Sequence, residues 1–148
     1  MTLKSRGVIA VAAVVLMTAG AVLSAQSDKF TARLAWVPIA GGDRANVTGK
    51  GTANATLSGT KLSVNGTFEG LAAPATVARV HAGVAKGARG PAIGDLVVSK
   101  GTSGTISGGV ALDAEQLASL KQGRLYIQLH SEKGVAPDGS NLWGWFLR

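Results

Sequence analysis

The 148-residue chain carries 15 Lys and Arg against 8 Asp and Glu, two His, three Trp and no Cys, a net charge of +7 at neutral pH. Without cysteine there is no disulfide framework, thiolate metal site or cysteine nucleophile, so the fold must rest on core burial alone. The cations stand singly (Lys29, Arg33, Arg44, Lys50, Lys61, Lys86, Arg89, Lys100) and few aromatics interleave with them, which argues against nucleic acid as a partner.

The chain opens on "MTLKSR", cationic through Lys4 and Arg6, followed by an uncharged and largely apolar run from Gly7 to Leu23. Two small-residue triplets close it, "AGA" (19–21) and "LSA" (23–25). This is the three-part pattern of a secretory signal peptide, and the run falls short of the roughly 20 apolar residues of a membrane span. The expected organisation is a signal peptide at 1–25, with an alternative cleavage after residue 21, and one domain at 26–148. Such a chain is expected to be periplasmic or secreted with no membrane span after cleavage, the alternative being that the run is retained as an uncleaved membrane anchor. Removing Lys4 and Arg6 leaves 13 basic and 8 acidic residues, a net +5.

Beyond the leader, side chains alternate with period two. In "FTARLAW", Phe30, Ala32, Leu34 and Trp36 oppose Thr31 and Arg33; in "TANATLS", Ala53, Ala55 and Leu57 oppose Thr52, Asn54 and Thr56. "LSVNGTFE" continues the pattern after "SGTK", a turn signal that makes the two runs a hairpin. Further strands are expected at 76–81, 95–99, 105–112, 124–130 and 141–147. Seven or eight short strands at this spacing predict an all-β fold, an antiparallel Greek-key-like β-sandwich. One segment departs from it. "LDAEQLASLKQG" spaces Leu112, Leu117 and Leu120 for a helix, with Asp113 and Gln116 as a capping box and Gly123 as its stop.

The two histidines end strand-like runs, "ARVHAG" (78–83) and "LYIQLH" (125–130). Alternation puts Arg79 and His81 on one face of the first, and Tyr126, Gln128 and His130 on one face of the second, each away from the more apolar side. A catalytic metal site usually takes three protein ligands. With two histidines and no cysteine, the third would have to be a carboxylate such as Asp95 or Asp138. No Gly-x-Ser-x-Gly elbow is present; "GTSGT" (101–105) reads as a turn. Catalytic residues, metal ligands and cofactors are therefore not expected, and the polar groups read as a hydrogen-bonded network. In "NLWGWFLR", Trp143, Trp145 and Leu147 oppose Leu142 and Phe146, which suits a strand buried on both sides. Exposure of the tryptophans would instead make them an aromatic contact for a protein or polysaccharide partner.

The order of these pieces resembles the CHRD (chordin) domain family from Phe30 to Arg148. "FTARL", "LSVNGTFEGL" (62–71), "VARVHAG" with "GPAIGDL" (90–96), and "LDAEQLASLKQGRLYIQLHS" with "PDGSNLWGWF" follow the family's segments collinearly. The resemblance implies an exported β-rich domain, single in bacteria, without the cysteine-rich modules that carry chordin's growth-factor binding. It also implies a polar cluster at Arg79, His81, His130, Asn141 and Trp143. Here Arg79 replaces a family histidine, Asn141 a glutamate and Trp143 an arginine, as if one cation had moved to the neighbouring strand. The expected function is a non-catalytic binding or structural module of the periplasm or cell envelope, with Arg79, His81, His130 and Asn141 as candidate binding residues. The alternative is a metal-binding or metal-dependent oxidoreductase domain, superoxide-dismutase-like, using His81 and His130.

Overall fold

Alternating short polar and apolar residues lay down eight antiparallel strands in a computed structural model that describes residues 27–39 and 41–148. The expected signal peptide lies outside the described residues. The strands are β1 (Asp28–Trp36), β2 (Lys50–Ser58), β3 (Lys61–Glu69), β4 (Ala75–Ala82), β5 (Ala92–Val98), β6 (Gly104–Ala111), β7 (Leu125–Val135) and β8 (Ser140–Trp145). A 3-10 turn (Gly41–Ala45) follows β1, and a helix, α1 (Ala114–Lys121), joins β6 to β7.

The expected sandwich is a closed barrel, in the order β1-β2-β3-β6-β5-β4-β7-β8. Two sheets are present, but β1 and β5 each belong to both. β1 pairs with β2 from Asp28 to Leu34 and with β8 at Ala35↔Trp143 and Trp36↔Leu142. β5 pairs with β4 through Ala92–Leu96 and with β6 at Val97↔Ser107 and Val98↔Ile106. Strand sharing closes both seams and removes the open edges that a sandwich would leave.

Inward positions carry the core. Ala32, Ala53, Ala55 and Ala78 alternate around the wall with Leu34, Leu62, Val64, Ile127 and Leu129, all 1% exposed or less. Mixing small and large side chains fills a narrow barrel without voids. Gly66 lets β2 and β3 approach closely: a Cβ there would meet the Ala53 Cβ at 3.0 Å and the Thr52 carbonyl oxygen at 2.7 Å. The "SGTK" turn is a two-residue hairpin with Ser58 opposite Lys61.

The helix forms where its caps require. The Asp113 carboxylate accepts from the Gln116 amide at 2.8 Å, and Gln116 Oε1 accepts from the Asp113 amide at 3.0 Å. Gly123 takes φ +69 just beyond the end. Leu112 and Leu120 are buried and Leu117 packs beside them, so the helix closes one mouth of the barrel.

Candidate functional site

β7 is buried on both faces. Leu125, Ile127 and Leu129 enter the core, while Tyr126, Gln128 and His130 on the outer face are only 1–2% exposed. Two connections cover that outer face. The β4–β5 loop, residues 83–91, lays Gly90 and Arg89 over it, and the β7–β8 turn brings Asp138 to His130. Gly90 permits the close approach, because a Cβ there would overlap the Ala82 carbonyl oxygen.

His81 stacks on Tyr126 at 4.9 Å with planes 17° apart, and its Nδ1 donates to the Gly90 carbonyl at 3.0 Å. A carbonyl can only accept, so Nδ1 carries the proton and Nε2 presents a lone pair. That Nε2 is buried without a partner. Burial holds the His81 imidazole below its usual range; the Gly90 bond opposes this, and His130, Arg79 and Arg89 add to it by charge. The Tyr126 hydroxyl donates to the Gly90 carbonyl at 3.3 Å and accepts from the Gly90 amide at 3.2 Å. Trp145 and Trp143 pack around Tyr126 with centroids at 4.5 and 5.8 Å, and the Arg89 guanidinium lies 5.4 Å above Trp143.

His130 follows the same rule further along β7. Its Nδ1 donates to the Asp138 carbonyl at 3.0 Å, and its Nε2 accepts from Gln128 Nε2 at 3.1 Å. The Asp138 carboxylate is pushed up by burial, but hydrogen bonds from Ser140, with the charges of His130 and Arg89, outweigh this and hold it below its ordinary range.

The structure separates several residues expected to share one network. Arg79 gives its Nε to Asp95 at 2.8 Å and bonds neither histidine. Asn141 is fully buried, but its Nδ2 donates to Ser131 Oγ at 2.9 Å and to the Asn46 carbonyl at 3.4 Å. His81 pairs with Tyr126 and His130 with Val77. The histidines are therefore offset by four residues along adjacent strands, about 13 Å at a rise near 3.3 Å per residue. Their Nε2 atoms are directed by separate carbonyl anchors, and Gln128 lies between them in sequence and on the same face. Among the described residues, no group of three or more His, Asp or Glu is placed to hold a metal ion.

Trp143 and Trp145 lie on the outer face and are partly buried, while Leu142 and Phe146 are 0% exposed inside. The cation beside Trp143 is Arg89, which sequence reasoning left unassigned, as it did Gly90. The shared face of Tyr126, Gln128 and His130 was readable from alternation; the loop that lands on it carries no periodic signal.

Closed antiparallel barrel, crossing helix, and a polar–aromatic outer wall pinned by backbone carbonyls define a small all-β module. The CHRD domain family model matches residues 20–139, spanning β1 to β7, and the chain belongs to that family. No curated protein matches it. Among the described residues no helix is long and apolar enough to cross a membrane.

Proposed function

We propose that this chain is an exported, non-catalytic binding or structural module of the periplasm or cell envelope. One observation carries the non-catalytic part: His130 is engaged at both ring nitrogens, by the Asp138 carbonyl and by Gln128, and so shares no open site with His81, whose Nδ1 is held by the Gly90 carbonyl. The wall of β4, β7 and β8 is then a clasp for the β4–β5 loop and the β7–β8 turn. Export is supported by the N-terminal pattern of a cationic start, apolar run and small-residue close.

Expression of the full chain with fractionation and intact mass measurement tests export. The expected product begins at Gln26, or at Val22 from the alternative cleavage, outside the cytoplasm. Assays for turnover, with elemental analysis after exposure to copper, zinc and manganese, test the rest. Specific turnover, or stoichiometric metal, abolished in His81→Ala and His130→Ala would replace this reading with the metal-dependent one.

A further inference from the structure

The barrel wall opposite the histidines, formed by β1, β2 and β3 with β6, has a different outer surface. Register places Arg33, Thr52, Thr67 and Thr105 in one row across four strands, and Thr31, Asn54, Asn65 and Ser107 in the next. These short hydroxyls and amides form a grid of donors and acceptors. A groove of about 510 Å³ lies at one end of the grid, lined by Arg33, Lys50, Thr52 and Thr67 among others. A second of about 340 Å³ shares Arg33 and Lys50 and reaches Trp36. A third of about 270 Å³ continues from Trp36 to Arg44.

Trp36 is the hinge of this surface. It is 53% exposed, yet its Nε1 donates to the Gly49 carbonyl at 2.9 Å and its backbone pairs with Leu142. An indole anchored at its edge and open to solvent is a preorganised stacking plate. Arg33 and Arg44 form no ion pair among the described residues, and Lys50 meets Glu69 at 3.3 Å with both side chains well exposed. Glu69 is the one carboxylate lining the three grooves.

We propose that this surface binds an acidic polysaccharide, with a sugar ring stacked on Trp36, its carboxylates met by Arg33, Arg44 and Lys50, and its hydroxyls by the threonine row. This rests on the reading of the domain as a binding module and names its ligand class. The occupant is chosen by complementarity. The surface offers cations to a polyanion, one aromatic plate to the C–H face of a pyranose, and paired donors and acceptors to hydroxyls. A peptide that docks by adding a strand needs a free sheet edge, and the barrel is closed among the described residues; recognition of acidic side chains alone is what the polyglutamate arm below measures. Single-stranded nucleic acid takes successive stacking platforms, and these grooves hold one.

Affinity electrophoresis of the purified protein in gels containing polygalacturonate, dextran, polyglutamate or oligothymidylate tests the proposal. Polygalacturonate is expected to retard the protein, with affinity falling as salt rises and the other three weaker by tenfold or more. Trp36→Ala and, separately, Arg33→Gln with Arg44→Gln are expected to weaken polygalacturonate binding at least tenfold. Arg33 and Arg44 are exposed, so the arginine variant keeps the test valid if Trp36→Ala fails to fold. Absence of polygalacturonate binding, equal binding of polyglutamate or oligothymidylate, or binding untouched by folded variants would overturn it. The turnover and metal assays above overturn the module reading separately, so the two failures are distinguishable.

Discussion

His81 and Tyr126 converge on one atom: the imidazole Nδ1 and the phenol oxygen both donate to the carbonyl of Gly90, at 3.0 and 3.3 Å. Tyr126 also accepts from the Gly90 amide, so one residue is held by both its N–H and its carbonyl. Tyr126→Phe keeps the stacked ring but removes both hydroxyl bonds. A cost of about 1–2 kcal/mol is expected, the range for losing hydrogen bonds that leave partners partly buried. Hydrogen exchange at Gly90 and its neighbours in 83–91 should accelerate more than exchange in β2 and β3, which would show that the hydroxyl holds the loop.

Burial of the same imidazole makes stability depend on pH. His81 titrates below its ordinary value of 6.5 when folded, chiefly through burial, with Arg79, Arg89 and His130 as the charges that add to it. Below pH 6.5 the unfolded chain binds a proton that the folded chain does not, so stability falls as pH falls toward the lower folded value. His81→Gln should flatten this part of a plot of denaturation midpoint against pH between about 7 and 5, around the ordinary imidazole value. The acid limb belonging to Asp138 should persist in that variant. The carboxylate's folded value lies below 3.8, so its contribution is lost only as pH falls through that region.

Much of the fold was legible because alternation reports faces. Ala53, Ala55 and Leu57 point inward as their spacing requires, and the Asp113–Gln116 cap is where the capping pattern places it. Sandwich and barrel differ at seams that alternation cannot see: β1 turning from β2 to β8, and β5 from β4 to β6, over two residue pairs each. The site was half legible. His81 and His130 do lie on outer faces, but the partners of Arg79 and Asn141 come from β5 and from residues 46 and 131, which no local pattern connects to them. The apparent exchange of Arg79 with Trp143 has the same cause. Both flank Gln128 in one row, yet Arg79 is committed to Asp95 and Arg89 covers Trp143.

That arrangement gives a third expectation. The Arg79–Asp95 pair is solvent-exposed, with side chains 39% and 72% accessible, and such pairs contribute about 0–1 kcal/mol. Arg79→His should cost no more than that, and adding Trp143→Arg should not rescue it, because the new cation would face Arg89. A double-mutant cycle read by chemical denaturation checks this; a coupling that restores stability would mean the two positions do share one charge.

Gln128 and His130 form a deeply buried polar pair on the outer wall, both 2% exposed and bonded at 3.1 Å. Gln128 Oε1 already lacks a partner. Removing either residue alone strands the other in low dielectric, costing about 1–3 kcal/mol for each buried group left unsatisfied. Gln128→Leu with His130→Leu removes the pair together, although the Asp138 carbonyl then loses its donor. The double variant should be less destabilised than the sum of the singles, with a coupling of about 1 kcal/mol or more in urea denaturation.

The barrel seam at the C-terminus sets the last expectation. Phe146 is 0% exposed, and its amide donates to the Leu125 carbonyl at 3.0 Å. Leu147 and Thr31 exchange both backbone bonds, at 2.7 and 3.0 Å, and Arg148 reaches Asp28 at 2.7 Å. These last three residues bind β8 to β1 and β7 at the mouth that α1 covers. Phe146→Ala should cost about 3–5 kcal/mol through the cavity it leaves, a large share of the 5–15 kcal/mol typical of a whole domain. Arg148→Ala removes only an exposed ion pair and its position over the Phe30 ring at 5.5 Å, so about 1 kcal/mol or less is expected. Thermal denaturation of the two variants measures the contrast; equal losses would mean that the seam is held by charge and not by the buried ring.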